Sequence, residues 1–415
     1  MTKEITIEHV FKVFGEAPQN ALALVRQGCS KQEILARTGQ SIGVFDAHFT
    51  IAAGEIFVVM GLSGSGKSTL VRMLNRLIEP TAGRVLIDGV DLASLPDARL
   101  RALRRKDISM VFQSFALMPH MTVLDNTAFG LELAGVDRGV RQAQAAQALE
   151  QVGLAGWGGS YPDELSGGMQ QRVGLARALA SDPSILLMDE AFSALDPIIR
   201  TEMQTELLRL QQVKRRTVVF ISHDLDEAMR IGDRIAIMKD GQVIQVGTPD
   251  EILRNPADDY VRNFVRGVDA AAVFKAGDIA RRPLTIVSEH HDRGSRAALK
   301  LIENDDRDFA YIVSPQGGYL GTVSADSLRC ALDGHQGPLG LQHAFLSGLE
   351  PIASDTPVAG LFGQVAHAPC AVPVVQGDGR LAGVISKTTL LRFLDRDTPP
   401  IEATAAPQAA AALAR

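Results

Sequence analysis

One short segment near the N-terminus constrains the fold more than any other feature of the chain. The apolar run 56–60 is followed by residues 61–68, which have the pattern G-x-x-x-x-G-K-S, and then by helix-compatible sequence from Thr69. A loop of this kind turns main-chain N–H groups around phosphate oxygens, and the helix that follows adds the positive end of its dipole. The order strand, loop and helix therefore predicts a phosphate-binding α/β core.

Three side chains associated with this pattern carry chemistry. Lys67 is placed to reach the β- and γ-phosphates of a nucleotide, and the hydroxyl of Ser68 is a ligand for Mg²⁺. Asp189 ends another apolar, strand-like run and would hold the same ion, directly or through water. The loop glycines let the main chain close around the phosphates. The predicted nucleotide-binding residues are Gly61, Leu62, Ser63, Gly64, Ser65, Gly66, Lys67, Ser68 and Thr69.

A second glycine-containing segment, Leu165-Ser-Gly-Gly-Met-Gln-Gln171, shortly precedes the strand that ends at Asp189. Ser-Gly-Gly alone is a common turn signal. In this place, after a phosphate loop, it resembles the signature of the ABC transporter ATPases. The resemblance implies that the segment opens a helix aimed at the γ-phosphate of a second protomer, so that the complete site forms in a head-to-tail homodimer. The residues it implies in trans are Ser166, Gly167, Gly168 and Asp196.

The same resemblance implies further roles by position. Glu190 is the general base for the attacking water, and His223 is the histidine that contacts the γ-phosphate, although a lone histidine at a strand end is more often structural. Gln113 touches the metal and the water. Phe14 stacks on adenine, but could equally be a core residue of the first strand. The implied cofactors are ATP and Mg²⁺, the implied catalytic residues are Glu190, His223, Gln113 and Lys67, and the implied metal ligands are Ser68, Gln113 and Asp189.

Composition limits the class of protein. A chain of 415 residues exceeds the size of one hydrophobic core, so two or three domains are expected. The apolar runs are shorter than the roughly 20 residues that cross a bilayer, and the N-terminus lacks the pattern of a secretion signal. Three cysteines without a C-x-x-C pair argue against disulfides and zinc. The net charge of −6 gives no general attraction to nucleic acid, and none is expected as a partner.

The expected fold of residues 1–266 is an α/β nucleotide-binding domain of the ABC type. It consists of a mixed sheet core, an antiparallel lobe and a helical subdomain over about 114–180. Residues 15–40 form an insertion in the first lobe, in which Ser30 and Glu33 make a capping box at the start of a helix.

The insertion, with residues 75–80 and 115–126, is similar to the ATP-binding subunits of glycine betaine/proline importers. This likeness implies two copies of an integral membrane permease and a periplasmic or extracellular solute-binding protein as partners. It also implies a peripheral place on the cytoplasmic face of the inner membrane. The apolar stretch 115–121 would receive the permease, the alternative being plain core packing.

A weak internal repeat occupies the C-terminal part, where residues 311–328 match residues 372–390. Each half predicts strand, glycine turn, strand and serine-capped helix, which resembles a tandem pair of CBS domains of α+β class over 270–398, with halves at about 280–335 and 342–398. Ser327 and Thr389 stand where that family carries the acid that holds a ribose. Adenosine binding is therefore disfavoured relative to sensing of ionic strength or another ligand. Residues 399–415 are predicted to be disordered.

The resulting hypothesis is the ATPase subunit of an ABC importer for osmoprotectants such as glycine betaine or proline, regulated by the CBS pair. An importer for choline or carnitine is the alternative within the family. A soluble ABC ATPase acting on ribosomes or DNA would require two cassettes or a long coiled-coil insertion, and neither occurs in the sequence. A CBS sensor with an inactive cassette is opposed by the intact residues Lys67, Asp189, Glu190 and His223.

Overall fold

The computed structural model describes residues 2–112, 116–193, 195–283, 285–288, 294–333 and 339–394. The chain divides into two compact units, Met1–Val268 and Asp269–Arg415. Among the described residues, no helix is both long enough and apolar enough to cross a membrane.

The first unit is built of both strands and helices. The strands are β1 (Ile5–Phe14), β2 (Ser41–Ile51), β3 (Ile56–Gly61), β4 (Ala82–Ile87), β5 (Val90–Asp91), β6 (Ile108–Val111), β7 (Ile185–Asp189), β8 (Thr217–Ser222), β9 (Arg234–Lys239) and β10 (Gln242–Gly247). The helices are α1 (Pro18–Arg26), α2 (Lys31–Thr38), α3 (Lys67–Leu74), α4 (Asp97–Lys106), α5 (Val123–Leu133), α6 (Arg138–Gln151), α7 (Gly167–Ala180), α8 (Pro197–Val213), α9 (Leu225–Ile231), α10 (Pro249–Arg254) and α11 (Asp259–Phe264).

Six of these strands form a mixed sheet in the order β10-β9-β3-β8-β7-β6. All neighbours are parallel except β10, which is antiparallel to β9. Every residue of β3, β7 and β8 is buried, as their continuous apolar runs predict for a parallel sheet covered on both faces. The residues that follow β3, β7 and β8 lie along one edge of the sheet, where parallel strands place their carboxyl ends.

The antiparallel sheet, in the order β2-β1-β4-β5, shares its core with the mixed sheet. Phe49 of β2 stacks on Phe57 of β3 with ring centroids 5.1 Å apart and planes inclined by 8°. The buried face of α3 contributes Leu70 and Met73 to the same cluster. The helix that follows the phosphate loop is therefore held between the two sheets.

The predicted insertion contains α1 and α2, between β1 and β2. Phe14 at the end of β1 pairs with Ser41 at the start of β2, so the chain leaves the sheet and returns to it at neighbouring positions. The capping box is confirmed: the Ser30 Oγ accepts from the Glu33 N–H at 3.3 Å, and the Glu33 carboxylate accepts from the Ser30 N–H at 2.7 Å. Ile34 of α2 is fully buried in a small apolar cluster with residues of α1, β1 and β2.

Helices α5, α6 and α7 pack against one another in the middle of the first unit. The loop before α5 is fixed by Asn126, whose side chain is fully buried. Its Oδ1 accepts from the Met118 N–H at 2.7 Å, and its Nδ2 donates to the carbonyl oxygens of Met118 and Met121 at 3.0 Å each. The Asn126 side chain thus satisfies main-chain N–H and C=O groups of a loop that has no regular secondary structure.

The second unit contains two similar halves. Its strands are β11 (Ile286–Ser288), β12 (Phe309–Val313), β13 (Tyr319–Ser324), β14 (Ile352–Ala353), β15 (Val372–Val375) and β16 (Leu381–Ile385). Its helices are α12 (Ala270–Val273), α13 (Ala276–Ile279), α14 (Ser295–Asn304), α15 (Ala325–Leu332), α16 (Phe362–His367) and α17 (Lys387–Leu394).

The two halves have the same sheet topology. The sheets β11-β12-β13 and β14-β15-β16 each combine a parallel first pair with an antiparallel second pair. Ser324 caps α15 by accepting from the Ser327 N–H at 2.9 Å, and Ser386 accepts from the Thr389 N–H at 3.0 Å at the start of α17. The predicted repeat of two strands and a serine-capped helix is confirmed.

Candidate active site

The phosphate loop connects β3 to α3, and its course depends on glycine. Gly61 has φ +149°, and a Cβ there would lie 2.2 Å from the carbonyl oxygen of Met238 on β9. Gly66 has φ +95°, and a Cβ there would lie 2.2 Å from the carbonyl oxygen of Gly43 on β2. Both distances are far shorter than a van der Waals contact. The loop can therefore close only because these two positions have no side chain.

Lys67 is folded back over this loop. Its Nζ donates to the carbonyl oxygens of Gly61 at 2.9 Å and Leu62 at 3.1 Å, and the residue is 5% exposed. Burial lowers the pKa of Lys67 below its ordinary value of 10.5, and the nearby carboxylates of Glu190 and Asp189 oppose that shift. The ammonium group is thus held among main-chain oxygens at the position where a phosphate loop places its lysine.

Ser68 and Asp189 meet across the loop. The Ser68 Oγ donates to Asp189 Oδ1 at 2.8 Å, while Arg72 Nη2 lies 3.2 Å from Asp189 Oδ2. A hydroxyl and a carboxylate oxygen beside a phosphate-binding loop suit Mg²⁺, which takes few protein ligands and completes its shell with phosphate oxygens and water. In the described part of the chain, no group of three or more His, Cys, Asp or Glu residues could hold a metal by itself. This donor set therefore fits an ion that enters together with a nucleotide.

Glu190 and His223 lie next to each other at the same edge of the sheet. Glu190 directly follows Asp189 with φ +48°, a left-handed conformation that costs a non-glycine residue about 1–2 kcal/mol. Its carbonyl oxygen accepts from the N–H of Ser193 at 3.1 Å and from the Ser193 Oγ at 2.9 Å, which stabilises the turn. His223, immediately after β8, places Nδ1 3.6 Å from Glu190 Oε2. The two predicted catalytic side chains are thus brought together.

The residues predicted to act in trans lie elsewhere, at the first turns of α7 and α8. Ser166 is exposed, and its Oγ caps α7 by accepting from the Met169 N–H at 3.3 Å. Asp196 is also exposed and caps α8 by accepting from two N–H groups at 3.1 Å each. A Cβ on Gly168 would lie 2.7 Å from Ile199 Cγ2, so the two helix starts are in contact. They form one surface that includes Ser166, Gly167, Gly168 and Asp196.

Phe14 and Gln113 complete the predicted set. Phe14 is 43% exposed and its ring covers Gly43, since a Cβ on that glycine would lie 2.6 Å from the ring and 3.6 Å from Thr69 Cγ2. An exposed ring beside the first turn of α3 suits a stacking platform, whereas Phe11, packed edge-on against Phe45, has the place of a core residue. Gln113 lies outside the described residues.

One buried carboxyl group near the site was not predicted from the sequence. Glu227 on α9 is 7% exposed, accepts from the Ser222 hydroxyl, and accepts from Gln204 Nε2 at 3.0 Å. Burial raises the pKa of Glu227 above its ordinary value of 4.5, and these hydrogen bonds oppose the shift. Because Ser222 immediately precedes His223, the carboxyl group fixes the end of β8. Glu227 stands three residues after the capping residue Asp224, where an acid is a common signal of a helix start. The sequence therefore does not indicate that this side chain points into the core.

The comparisons with known proteins agree with this geometry. Residues 44–193 match the family model for ABC transporters, and residues 350–396 match that for the CBS domain. The chain is 60% identical over 96% of its length to the glycine betaine/proline betaine transport system ATP-binding protein ProV of Escherichia coli, of which it covers 99%. It is 49% identical over 94% of its length to the glycine betaine transport ATP-binding protein OpuAA of Bacillus subtilis, of which it covers 92%.

One solved structure has the same fold as the first unit. It is the ATP-binding cassette MJ0796, a dimer in a post-hydrolysis state bound to ADP and phosphate, with 31% identity and a TM-score of 0.51 over 59% of this chain and 98% of that one. The chain therefore belongs to the ATP-binding proteins of ABC transporters. It binds and hydrolyses ATP for transport, and it carries a CBS domain in its C-terminal part. The predicted α/β fold of ABC type is confirmed, and the roles of single residues stay predictions.

The first prediction concerns Glu190. In Glu190→Gln the side chain keeps its size but cannot take a proton from water, so ATP hydrolysis should fall by about 10²- to 10⁴-fold while ATP binding persists. The measurement is steady-state hydrolysis together with ATP-dependent dimerisation, which should increase because ATP is not consumed. Glu150→Gln, at an exposed position of α6, is the matched control. Hydrolysis near the parental rate in Glu190→Gln would place the general base elsewhere.

Proposed function

We propose that the chain is the ATP-hydrolysing subunit of an importer for osmoprotectants such as glycine betaine and proline betaine. The observation that carries this proposal is the identity with a glycine betaine/proline betaine transport protein over nearly the full length of both chains. The subunit would lie on the cytoplasmic face of the cell membrane as a homodimer with two copies of an integral membrane permease. A periplasmic or extracellular solute-binding protein would deliver the substrate to that complex.

A groove of about 480 Å³ on the first unit is suited to the permease. Phe112 is 36% exposed and Leu133 57% exposed there, and methionine and phenylalanine side chains adapt well to a partner surface. We name it the docking groove, and its main apolar lining consists of Phe112, Ala116, Met118, Phe129 and Leu133. The proposed occupant is a helix of the permease, because a transport ATPase must pass its conformational change to the subunit that forms the path.

The docking groove is joined directly to α7. Arg177, near the end of that helix, donates from Nη1 to the carbonyl oxygen of Ala116 at 2.6 Å. The other end of α7 carries Ser166 and the exposed main chain of Gly167. One helix thus connects the proposed permease contact to the residues that would meet the ATP of the partner protomer.

The chemistry at each ATP would use residues of both protomers. Lys67 would neutralise charge on the phosphates, and Ser166 and the amides beside it would approach the γ-phosphate from the partner chain. Ser68, Asp189 and Gln113 would hold Mg²⁺, which neutralises phosphate charge when bound. Glu190 would accept a proton from the attacking water. The oxygen of that water would bond to the γ-phosphorus while the bond from the γ-phosphorus to ADP breaks. His223, whose Nδ1 lies 3.6 Å from Glu190 Oε2, would contact the γ-phosphate beside that carboxylate.

The second unit would act as a regulatory CBS pair that does not read adenosine. The hydroxyl of Ser327 accepts from the N–H of Ser324 at 2.9 Å and donates to its carbonyl oxygen at 3.0 Å. The hydroxyl of Thr389 lies 2.9 Å from that of Ser386. Both hydroxyls therefore serve helix capping, and neither is an acid that could hold the two hydroxyls of a ribose. A signal such as ionic strength suits the unit better.

The second prediction tests the transported substrate. The subunit is assembled with its permease and binding protein in sealed vesicles that contain ATP, and uptake of labelled glycine betaine, proline betaine, choline and carnitine is compared. Both betaines should accumulate and stimulate hydrolysis, and Lys67→Ala should abolish uptake because the phosphates lose their lysine. Uptake of choline or carnitine without uptake of either betaine would replace the proposed substrate while keeping the transport function.

The third prediction tests the composite site. Ser166→Arg and Lys67→Ala chains should each be inactive alone, but a mixed dimer places both defects in one site and leaves the other intact. Mixing should therefore restore part of the hydrolysis. Each heterodimer keeps one of its two sites, so the purified heterodimer should reach about half of the parental rate if the sites work independently. Heterodimer formation is checked with two affinity tags. Proven heterodimers without any recovery would contradict the head-to-tail arrangement.

The fourth prediction concerns the second unit. A chain that ends at Gly267 keeps every predicted residue of the ATP site, so hydrolysis should persist, while control of transport by salt inside the vesicle should be lost. A regulatory coupling of about 1–3 kcal/mol corresponds to a 5- to 150-fold effect. Salt acts by shortening the Debye length from about 10 Å at 0.1 M to 3 Å at 1 M. An equal salt response in both chains would leave the second unit without a sensor role.

A further inference from the structure

The tight turn between β9 and β10 touches the phosphate loop. Its two central residues, Asp240 and Gly241, have φ values of +49° and +81°, as a two-residue hairpin of this hand requires. The N–H of Gly241 donates to the carbonyl oxygen of Ser65 in the phosphate loop at 3.0 Å. The carbonyl oxygen of Gly241 accepts from the N–H of Phe45 on β2 at 2.8 Å. The β9–β10 turn therefore links the phosphate loop to β2 through main-chain hydrogen bonds.

The insertion reaches this turn through Lys31. The capping box at Ser30 fixes the start of α2, so Lys31 is the first residue of that helix. Its Nζ donates to the carbonyl oxygen of Asp240 at 2.6 Å, and a Cβ on Gly241 would lie 3.0 Å from the same Nζ. In the described part of the chain, Lys31 forms no salt bridge within 4.0 Å. Its ammonium group is thus bonded to the main chain of the turn.

We propose that Lys31 is a positioning residue for the phosphate loop. Two hydrogen bonds in series connect the insertion to the loop: Lys31 holds the carbonyl oxygen of Asp240, and the next residue, Gly241, holds Ser65. A hydrogen bond from a charged donor is about twice as strong as a neutral one, so Lys31 is the stronger of the two links.

The consequence for ATP follows from the packing of the loop. The carbonyl oxygen of Gly43 lies against both Gly66 and Gly241. A Cβ on Gly66 would lie 2.2 Å from this oxygen, and a Cβ on Gly241 would lie 2.9 Å from it. A shift of the turn would therefore move the glycines that shape the phosphate site. The predicted general base, Glu190, lies at the end of another strand and takes no part in these contacts. Lys31 should hence affect the binding of ATP more than its hydrolysis once bound.

The test compares Lys31→Met with the parental chain in the full-length protein, measuring KM for ATP and kcat. Loss of a charge-assisted hydrogen bond should raise KM roughly tenfold and leave kcat within about twofold. Lys31→Arg, which keeps a charged donor, should restore most of the affinity. Arg37→Met is the matched control, since Arg37 is an exposed cation on the same helix, and it should leave both constants unchanged.

Amide hydrogen exchange separates positioning from simple anchoring of the insertion. Lys31→Met should increase exchange in peptides that cover 61–68 and 238–245. An increase confined to residues 18–38, or a parental KM in Lys31→Met, would overturn the proposal. An equal rise in KM for Arg37→Met would overturn it as well, because the effect would then be one of net charge.

The proposal rests on the assignment of residues 61–69 as the phosphate loop, and Lys67→Ala tests that assignment separately. Parental hydrolysis in Lys67→Ala would refute the assignment of the ATP site and with it the role of Lys31. An inactive Lys67→Ala chain together with a parental KM in Lys31→Met would refute only the role of Lys31.

Discussion

The carbonyl oxygen of Gly43 is the point on which the geometry of the nucleotide site depends. It lies against Gly66 of the phosphate loop and Gly241 of the β9–β10 turn, while the ring of Phe14 covers the other face of Gly43. Two sheets and the phosphate loop meet here through main-chain contacts that no side chain could share. These contacts are closer than contacts between side chains can be. The main chain of the phosphate loop is therefore held in place by both sheets.

This rigidity extends to the charged groups. Ser68 and Arg72 each occupy one oxygen of Asp189, so the carboxylate has a fixed orientation in the protein alone. Glu190, next in the chain, is held by its left-handed turn and the hydrogen bonds from Ser193. A site whose dipoles are already oriented does not spend free energy on reorganisation when charge develops. Asp189 thus faces the phosphate loop and its neighbour Glu190 faces His223, which suits the separate roles predicted for the two carboxylates.

The sequence predicts the parts of this arrangement whose causes are local. A buried apolar run gives β3, a glycine pattern gives the loop, and the Ser30 capping box gives the start of α2, each within a few residues. The hydrogen bond from Lys31 to Asp240 spans 209 residues, and it has no local signal. It depends on how the two sheets pack against each other, and the periodicity of apolar residues does not predict that packing. The pairing of Ser68 with Asp189 spans 121 residues, and the phosphate-loop pattern predicts it because both side chains are expected to hold one Mg²⁺.

Helix α7 is the element through which the proposed partners would act on ATP. It has 14 residues and so extends about 21 Å, with Arg177 bonded to the docking groove near one end and Ser166 at the other. If the helix moves as one body, a displacement of the docking groove would also shift its first turn. Because Gly168 lies against Ile199, the start of α8 would move with it. Closure of the dimer on ATP would therefore move the first turn of α7, and the same movement of the helix would reach the permease at the docking groove.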